Sequence, residues 1–302
     1  MGAPAVLVKA RVEYLPGIAA FEGSFEADGG FTIVIGPNGA GKTTLLHAIA
    51  GILSPYYVKG DVRVLGANPY REYWVKKYVA LARQEPSTFD YWCTVETALT
   101  LYALLKGEDA ALVREVVEEL GLQDYMHPFS KVGTLSFGTR RKLEVAKLFL
   151  SKSARVYLLD ELIGLDPPTV NKTLEYLRSR AEEGACVILV THDPRHLQMM
   201  TGGRVVVLKG GRVLRVIESR SELEKYLSRS LYEMIIVVEG GDPRAAGKVP
   251  GVESVSVEAG ARSVVRVRGR LESLNSILEA LMGSGCRVHR VEYDEITPLF
   301  EE

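Results

Sequence analysis

Apolar residues in this chain fall in short dense runs separated by charged and glycine-rich stretches, and that spacing predicts the elements. "FTIVI", Phe31 to Ile35, leaves no polar face and reads as a strand buried on both sides. It runs into the glycine loop "GPNGAGKT" and then into a helix starting at about Lys42. "ARVYLLDE" and "ACVILVTHD" have the same character: short, β-rich and bounded by charge, as buried parallel strands are. "RVVVLKGGRVLRVIE" reads as a hairpin turning at Gly210 and Gly211. Strands interleaved with helical segments imply a layered α/β domain.

From Gln84 to Leu135 the period lengthens. "TVETALTLYALLKG" and "DAALVREVVEELGL" are helical, with Gly107 and Gly121 placed to stop them. A further helix after "LSFGTRRK" puts Leu143, Ala146, Phe149 and Leu150 on one face. These segments form a helical insert, about residues 85–150, within an α/β domain spanning 1–220. Residues 221–230 read as a charged linker. From 231 to 302 the pattern is strand, short connection, strand, strand, helix, strand. Leu271, Leu274, Ile277, Leu278 and Leu281 line the helix, and Gly283 or Gly285 ends it. That order suggests a small ferredoxin-like α+β domain.

Composition narrows the class. The 302 residues are 47% apolar and 25% charged, with a net charge of −1, so no global attraction to nucleic acid or anionic lipid is expected. From Leu231 onward, eight basic residues face twelve acidic ones, which argues against a nucleic-acid-binding tail. Three widely spaced cysteines, Cys93, Cys186 and Cys286, fit a reduced protein better than a disulfide framework. Neither a signal peptide nor an apolar run of membrane-spanning length is apparent, so a membrane role is expected to come through a partner.

The chemistry begins at "GPNGAGKT". Gly36, Asn38, Gly39 and Gly41 sit in the G-x-x-x-x-G-K-[ST] pattern, between a strand and a helix. Such a loop turns its amides inward, and the helix N-terminus adds partial positive charge, so the site suits phosphate. Lys42 would reach the β- and γ-phosphates, Thr43 would place its hydroxyl on Mg²⁺, and Thr44 is expected as a further nucleotide-binding residue of the loop. In "RVYLLDE", Asp160 emerges at a strand end where it can hold Mg²⁺, and Glu161 is placed to orient or deprotonate an attacking water. A guanine-reading N-K-x-D motif is not met, because Asn171-Lys172 runs on to Thr173 and Leu174.

The order of these motifs resembles the ATP-binding cassette (ABC) ATPases over about residues 5–220. Gln84 in "ARQEP" resembles their Q-loop glutamine, "LSFGTRRK" their LSGGQ signature and "LDP", Leu165 to Pro167, their D-loop. His192 in "LVTHD" resembles the switch histidine, and Tyr14 the aromatic that stacks on adenine. The resemblance implies ATP and Mg²⁺ as cofactors, with Thr43, Gln84 and Asp160 toward the metal. It implies a head-to-tail dimer in which Ser136 and the Gly138 amide touch the γ-phosphate held by the other subunit. Glu161, His192 and Gln84 would serve the chemistry, and Asp166 the nucleotide-facing D-loop. Three departures stand out: "DELIGLD" is one residue shorter than the usual stretch and lacks its proline, Phe137 replaces a glycine of the signature, and Thr139 stands where its glutamine is commonest. Phe137 is expected to point away from the nucleotide, into the insert or against the neighbour.

The tail resembles that of ATPases serving type 2 exporters, with "TPLFEE", Thr297 to Glu302, as a short echo of their ending. The implied role is a cytoplasmic ATPase held at the inner face of the membrane by a separate permease. The aromatic residues Phe89, Tyr91 and Trp92 would suit that contact or the insert's own core. The rival class is a soluble single-cassette ATPase, as in iron–sulfur assembly.

Overall fold

A computed structural model of the chain describes residues 4–191, 203–219, 221–223, 231–260, 262–270 and 273–296. The chain divides into two compact units, Met1–Ser219 and Arg220–Glu302.

The first unit holds strands β1 (Val6–Leu15), β2 (Ile18–Ala27), β3 (Gly30–Ile35), β4 (Val58–Val64), β5 (Val79–Ala82), β6 (Val156–Asp160), β7 (Cys186–Val190), β8 (Arg204–Lys209) and β9 (Arg212–Ile217). They form one sheet in the order β4-β1-β2-β9-β8-β3-β7-β6-β5. Strands β8, β3, β7, β6 and β5 run parallel, while β1, β2 and β4 pair antiparallel at the other end. The helices are α1 (Lys42–Ile49), α2 (Val95–Lys106), α3 (Leu112–Leu120), α4 (Phe137–Phe149) and α5 (Pro167–Glu182).

The continuous apolar runs are explained by burial on both faces. In β6, Val156 and Leu158 enter the core beneath α1, and Tyr157 and Leu159 enter the core shared with α2, α3 and α4. Strand β7 divides the same way. The β8–β9 hairpin turns on Gly210 and Gly211, both at positive φ, 55° and 79°, the geometry of a tight hairpin turn. Helices α2 and α3 end on Gly107 and Gly121 in the left-handed conformation. The sheet also contains β1, β2, β4 and β5, which the apolar runs alone do not announce. The three cysteines are free thiols.

In the second unit, β10 (Leu231–Glu239), β11 (Val252–Glu258), β12 (Ser263–Gly269), α6 (Leu274–Gly283) and β13 (Arg287–Ile296) follow in sequence. The sheet order is β11-β12-β10-β13 and every pair is antiparallel. This is the strand order of a ferredoxin-like split βαβ fold, with its first helix reduced to a six-residue 3-10 turn, Pro243–Lys248. Ile277 and Leu281 of α6 pack on Met234, Ile236 and Val238. Leu271, most of the linker (224–230) and Thr297 to Glu302 lie outside the described residues.

Candidate nucleotide site

The C-terminal ends of β3 and β6 bring the predicted residues together, as expected of an open parallel sheet. An open cleft of about 330 Å³ is lined by Asn38, Gly39, Gly41, Lys42, Thr43, Thr44, Gln84 and Glu161, with Ala20 at its side. Gly41 sits at φ +92°, and a side chain there would meet the Ala20 carbonyl at 2.3 Å, so only glycine lets the loop turn this tightly into α1. Gly36 is equally confined, with the Leu208 carbonyl 2.3 Å from where a Cβ would stand.

Lys42 is buried, and its ammonium donates to the carbonyls of Gly36 (2.7 Å) and Pro37 (3.1 Å). It thus bridges the loop that it would share with phosphates. Burial lowers its pKa, and the charges of Glu161 and Asp160 oppose that shift. The Thr43 side is open to solvent, whereas Thr44 is buried and its hydroxyl accepts from Tyr14 Oη at 3.3 Å. The Tyr14 ring stands edge-on to Tyr57 at 5.5 Å, with part of it exposed.

Asp160 is 1% exposed, and neither carboxylate oxygen has an aligned hydrogen-bond partner among the described residues. Burial pushes its carboxyl above the usual carboxylate range. Thr43 lies near enough to ease that penalty without full alignment, and Arg141 and Lys42 ease it further. A buried, doubly unsatisfied carboxylate is costly unless a cation completes it, so the residues present fit a divalent metal. Glu161 is buried as well and sits at φ +61°, a region that non-glycine residues rarely occupy. Gln84 Nε2 donates to Glu161 Oε2 at 3.1 Å.

The signature begins where α4 begins. Ser136 is exposed and caps α4, its Oγ accepting from the Thr139 amide at 3.1 Å. Gly138 is the second residue of α4, with the Gly164 carbonyl 3.2 Å from its would-be Cβ. Phe137 is half exposed, and its ring edge lies over Gly164, in the loop after β6. The ring therefore rests on the shortened D-loop stretch and not in the helical insert. Asp166 caps α5, one oxygen accepting from the Thr169 amide and hydroxyl (2.9 and 2.8 Å) and the other paired with Lys142 at 2.7 Å. That pairing with Lys142, foremost, holds its carboxyl down at about 2. Both Asp166 oxygens are thus engaged within the chain. His192 lies outside the described residues.

The aromatic cluster divides. Phe89 packs edge-on to Tyr102 inside the insert, and Tyr91 and Trp92 face solvent. Reading the sequence also passes over Arg141, which is fully buried in α4. Its guanidinium donates to the carbonyls of Glu161 (2.7 Å), Ile163 (3.1 Å) and Arg83. A charge in "TRRKLEVAK" normally means a solvated helix face, and only the packing shows otherwise.

A phosphate loop between strand and helix, facing a buried acidic strand end across a parallel sheet, defines the class: a P-loop NTPase. Within that class, residues 24–164 match the family described as "ABC transporter". That match takes in the phosphate loop, the signature stretch and the acidic strand end, so over these residues the chain is similar to the ATP-binding cassettes of that family. It is 30% identical over 191 residues to the uncharacterised ABC transporter ATP-binding protein YhcH of Bacillus subtilis, covering 62% of this chain and 61% of that protein. The chain thus spans about three-fifths of that relative's length. It is 29% identical over 282 residues to the molybdate/tungstate import ATP-binding protein WtpC of Pyrococcus horikoshii, covering 90% of this chain and 79% of that protein. Its fold matches a bacterial ABC transporter cassette solved as a dimer, with a TM-score of 0.60 and 21% identity over 71% of this chain and 99% of that one.

Proposed function

We propose that this chain binds MgATP, pairs head-to-tail with a second ATPase subunit, hydrolyses ATP and so drives a separate membrane permease. The observation that carries this is the buried, unsatisfied Asp160 beside Glu161, with Gln84 already bonded to Glu161 at the mouth of the phosphate loop. Lys42 exchanges the Gly36 and Pro37 carbonyls for the β- and γ-phosphates, and the α1 N-terminus adds its dipole. Asp160, Thr43 and Gln84 would hold Mg²⁺, which supplies neutralisation of phosphate charge. Tyr14 offers a ring face to adenine. Glu161 accepts the proton of the water that attacks the γ-phosphorus, as the bond to the ADP oxygen breaks and phosphate leaves. Ser136 and the Gly138 amide serve the neighbour's γ-phosphate, Asp166 shapes the loop beside it, and His192 steadies the γ-phosphate.

Glu161→Gln should lower kcat by about 10²-fold or more while ATP binding stays within a few fold, because it removes the base and keeps the shape. Single-turnover kinetics and equilibrium nucleotide binding check this, and turnover near that of the wild type sinks the assignment.

Export is the direction that the tail supports, through its strand order. Import is the second reading, because the Pyrococcus relative, named for import, aligns over 90% of this chain. No helix among the described residues is long and apolar enough to cross a membrane; in either direction the crossing is assigned to the proposed permease. Exposed Tyr91 and Trp92 suit that contact. Crosslinking at Trp92 in native membranes should capture a polytopic protein; recovery of soluble partners alone favours the non-transport class instead.

A further inference from the structure

Helix α4 carries three charged residues at three-residue spacing, Arg141, Glu144 and Lys147, and all three are buried, at 0, 1 and 3% exposure. Apolar side chains of similar size would fill that space at less cost, since burying charges is expensive even when they pair. What the three charges hold is one short segment, residues 83–88, which contains Gln84. Arg141 takes the Arg83 carbonyl. Glu144 accepts from the Arg83 amide and the Thr88 amide, both at 3.1 Å. Lys147 pairs with Glu144 at 2.5 Å and donates to the Thr88 hydroxyl at 2.7 Å. Both ends of the segment are thereby fastened to one helix face, and Gln84 between them bonds Glu161. The other hand of Arg141 grips the carbonyls of Glu161 and Ile163.

We propose that this buried stripe makes α4 a lever: Arg141, Glu144 and Lys147 position Gln84 and Glu161, so that movement of the Ser136 end of the helix is felt at the hydrolytic centre. The proposal rests on the ATPase reading above. The helix runs from Phe137 to Phe149, so about 15 Å of rigid rod joins the signature to Lys147 at the far end of the bracket. A phosphate engaging Ser136 and Gly138 pulls on the N-terminus of that rod. The bracket transmits the pull as a displacement of Gln84, with no loop of its own to absorb it. These are positioning residues; none of the three lines the nucleotide cleft.

The test uses the full chain with Glu144→Gln and Lys147→Met together, which removes both charges and leaves neither buried alone. The expected result is a KM for MgATP within about threefold of wild type and a kcat lower by about tenfold or more. Deuterium exchange at the Arg83 and Thr88 amides should also quicken. Lys152→Ala, in the exposed Lys152–Glu115 pair, is the control and should move neither. Should the double variant not fold, Glu144→Asp keeps the charge, shortens the reach by one methylene and should show the same kcat-only loss. A folded variant with unchanged kcat and unchanged exchange overturns the lever, as does a rise in KM at constant kcat. A wild-type protein that binds ATP without turning it over sinks the ATPase reading instead, and the exchange of the two amides still decides the bracket.

Discussion

At the scale of single residues, two of the departures from the family pattern meet in space. Phe137 stands where a signature glycine is commonest, and Gly164 lies in the shortened stretch after β6. A Cβ on Gly164 would come within 2.7 Å of the Phe137 ring, and Gly164 is itself at φ +81°. The ring and the shortened loop thus lie against each other. Gly164→Ala should therefore destabilise the chain by about 1–3 kcal/mol, from backbone strain plus overlap. Phe137→Ala in the same chain should recover about 0.5–1.5 kcal/mol, the overlap part alone, because the strain at positive φ stays. Thermal melts of the two single variants and the double variant read this; strict additivity would show that the residues do not couple. Neither departure explains the other in the sequence, because 27 positions separate them. The proposed roles of Lys42, Asp160 and Glu161 can be read there because chemistry restricts their neighbours. Arg141 and Glu144 are not, because the same letters on an exposed helix face would look alike.

At the scale of elements, legibility follows burial on two faces. Strands β3, β6 and β7 announce themselves as unbroken apolar runs, while in β1 the buried Val8, Ala10 and Val12 alternate with Lys9, Arg11 and Glu13 and blend into their surroundings. Helix stops at Gly107 and Gly121 are readable because only glycine relaxes at those φ values. What cannot be read is which helix face meets which neighbour, and α1 shows the consequence. His47 in its last turn has its Nε2 buried without a partner among the described residues, facing the positive charges of Arg83 and Lys147. Burial, chiefly, pushes its pKa down to about 4. Its folded pKa lies below the unfolded one of about 6.5, so neutral His47 is favoured by folding. The stability it permits is complete above about pH 6.5 and is lost as pH falls through about 4, on the order of 2 kcal/mol across that window. Urea melts at several pH values should show this slope, and His47→Asn should flatten it. An unchanged slope in the variant would locate the acid sensitivity in other groups.

At the scale of the whole molecule, the chain is two folding problems. The cassette has cores on both faces of its sheet, and the second unit has its own core, from Met234 and Ile236 to Ile277 and Leu281. The residues lining the nucleotide cleft all lie before Ser219, and the described cores do not mix residues of the two units. A chain ending at Ser219 should accordingly fold cooperatively and bind MgATP within about threefold of the full-length affinity, since every residue proposed for the nucleotide lies before Ser219. Its melting transition should stay single, because the hydrophobic contacts that stabilise it are internal. Isothermal titration and circular dichroism on the truncated and full chains decide the matter. A truncated chain that is folded yet has lost ATP binding would make the second unit part of the site, and the assignment of Lys42, Thr43 and Asp160 as a self-sufficient phosphate and metal site would fall with it. If binding persists and only turnover changes, the second unit acts on the closing of the dimer, where the energy of ATP binding is used, and its role is regulatory.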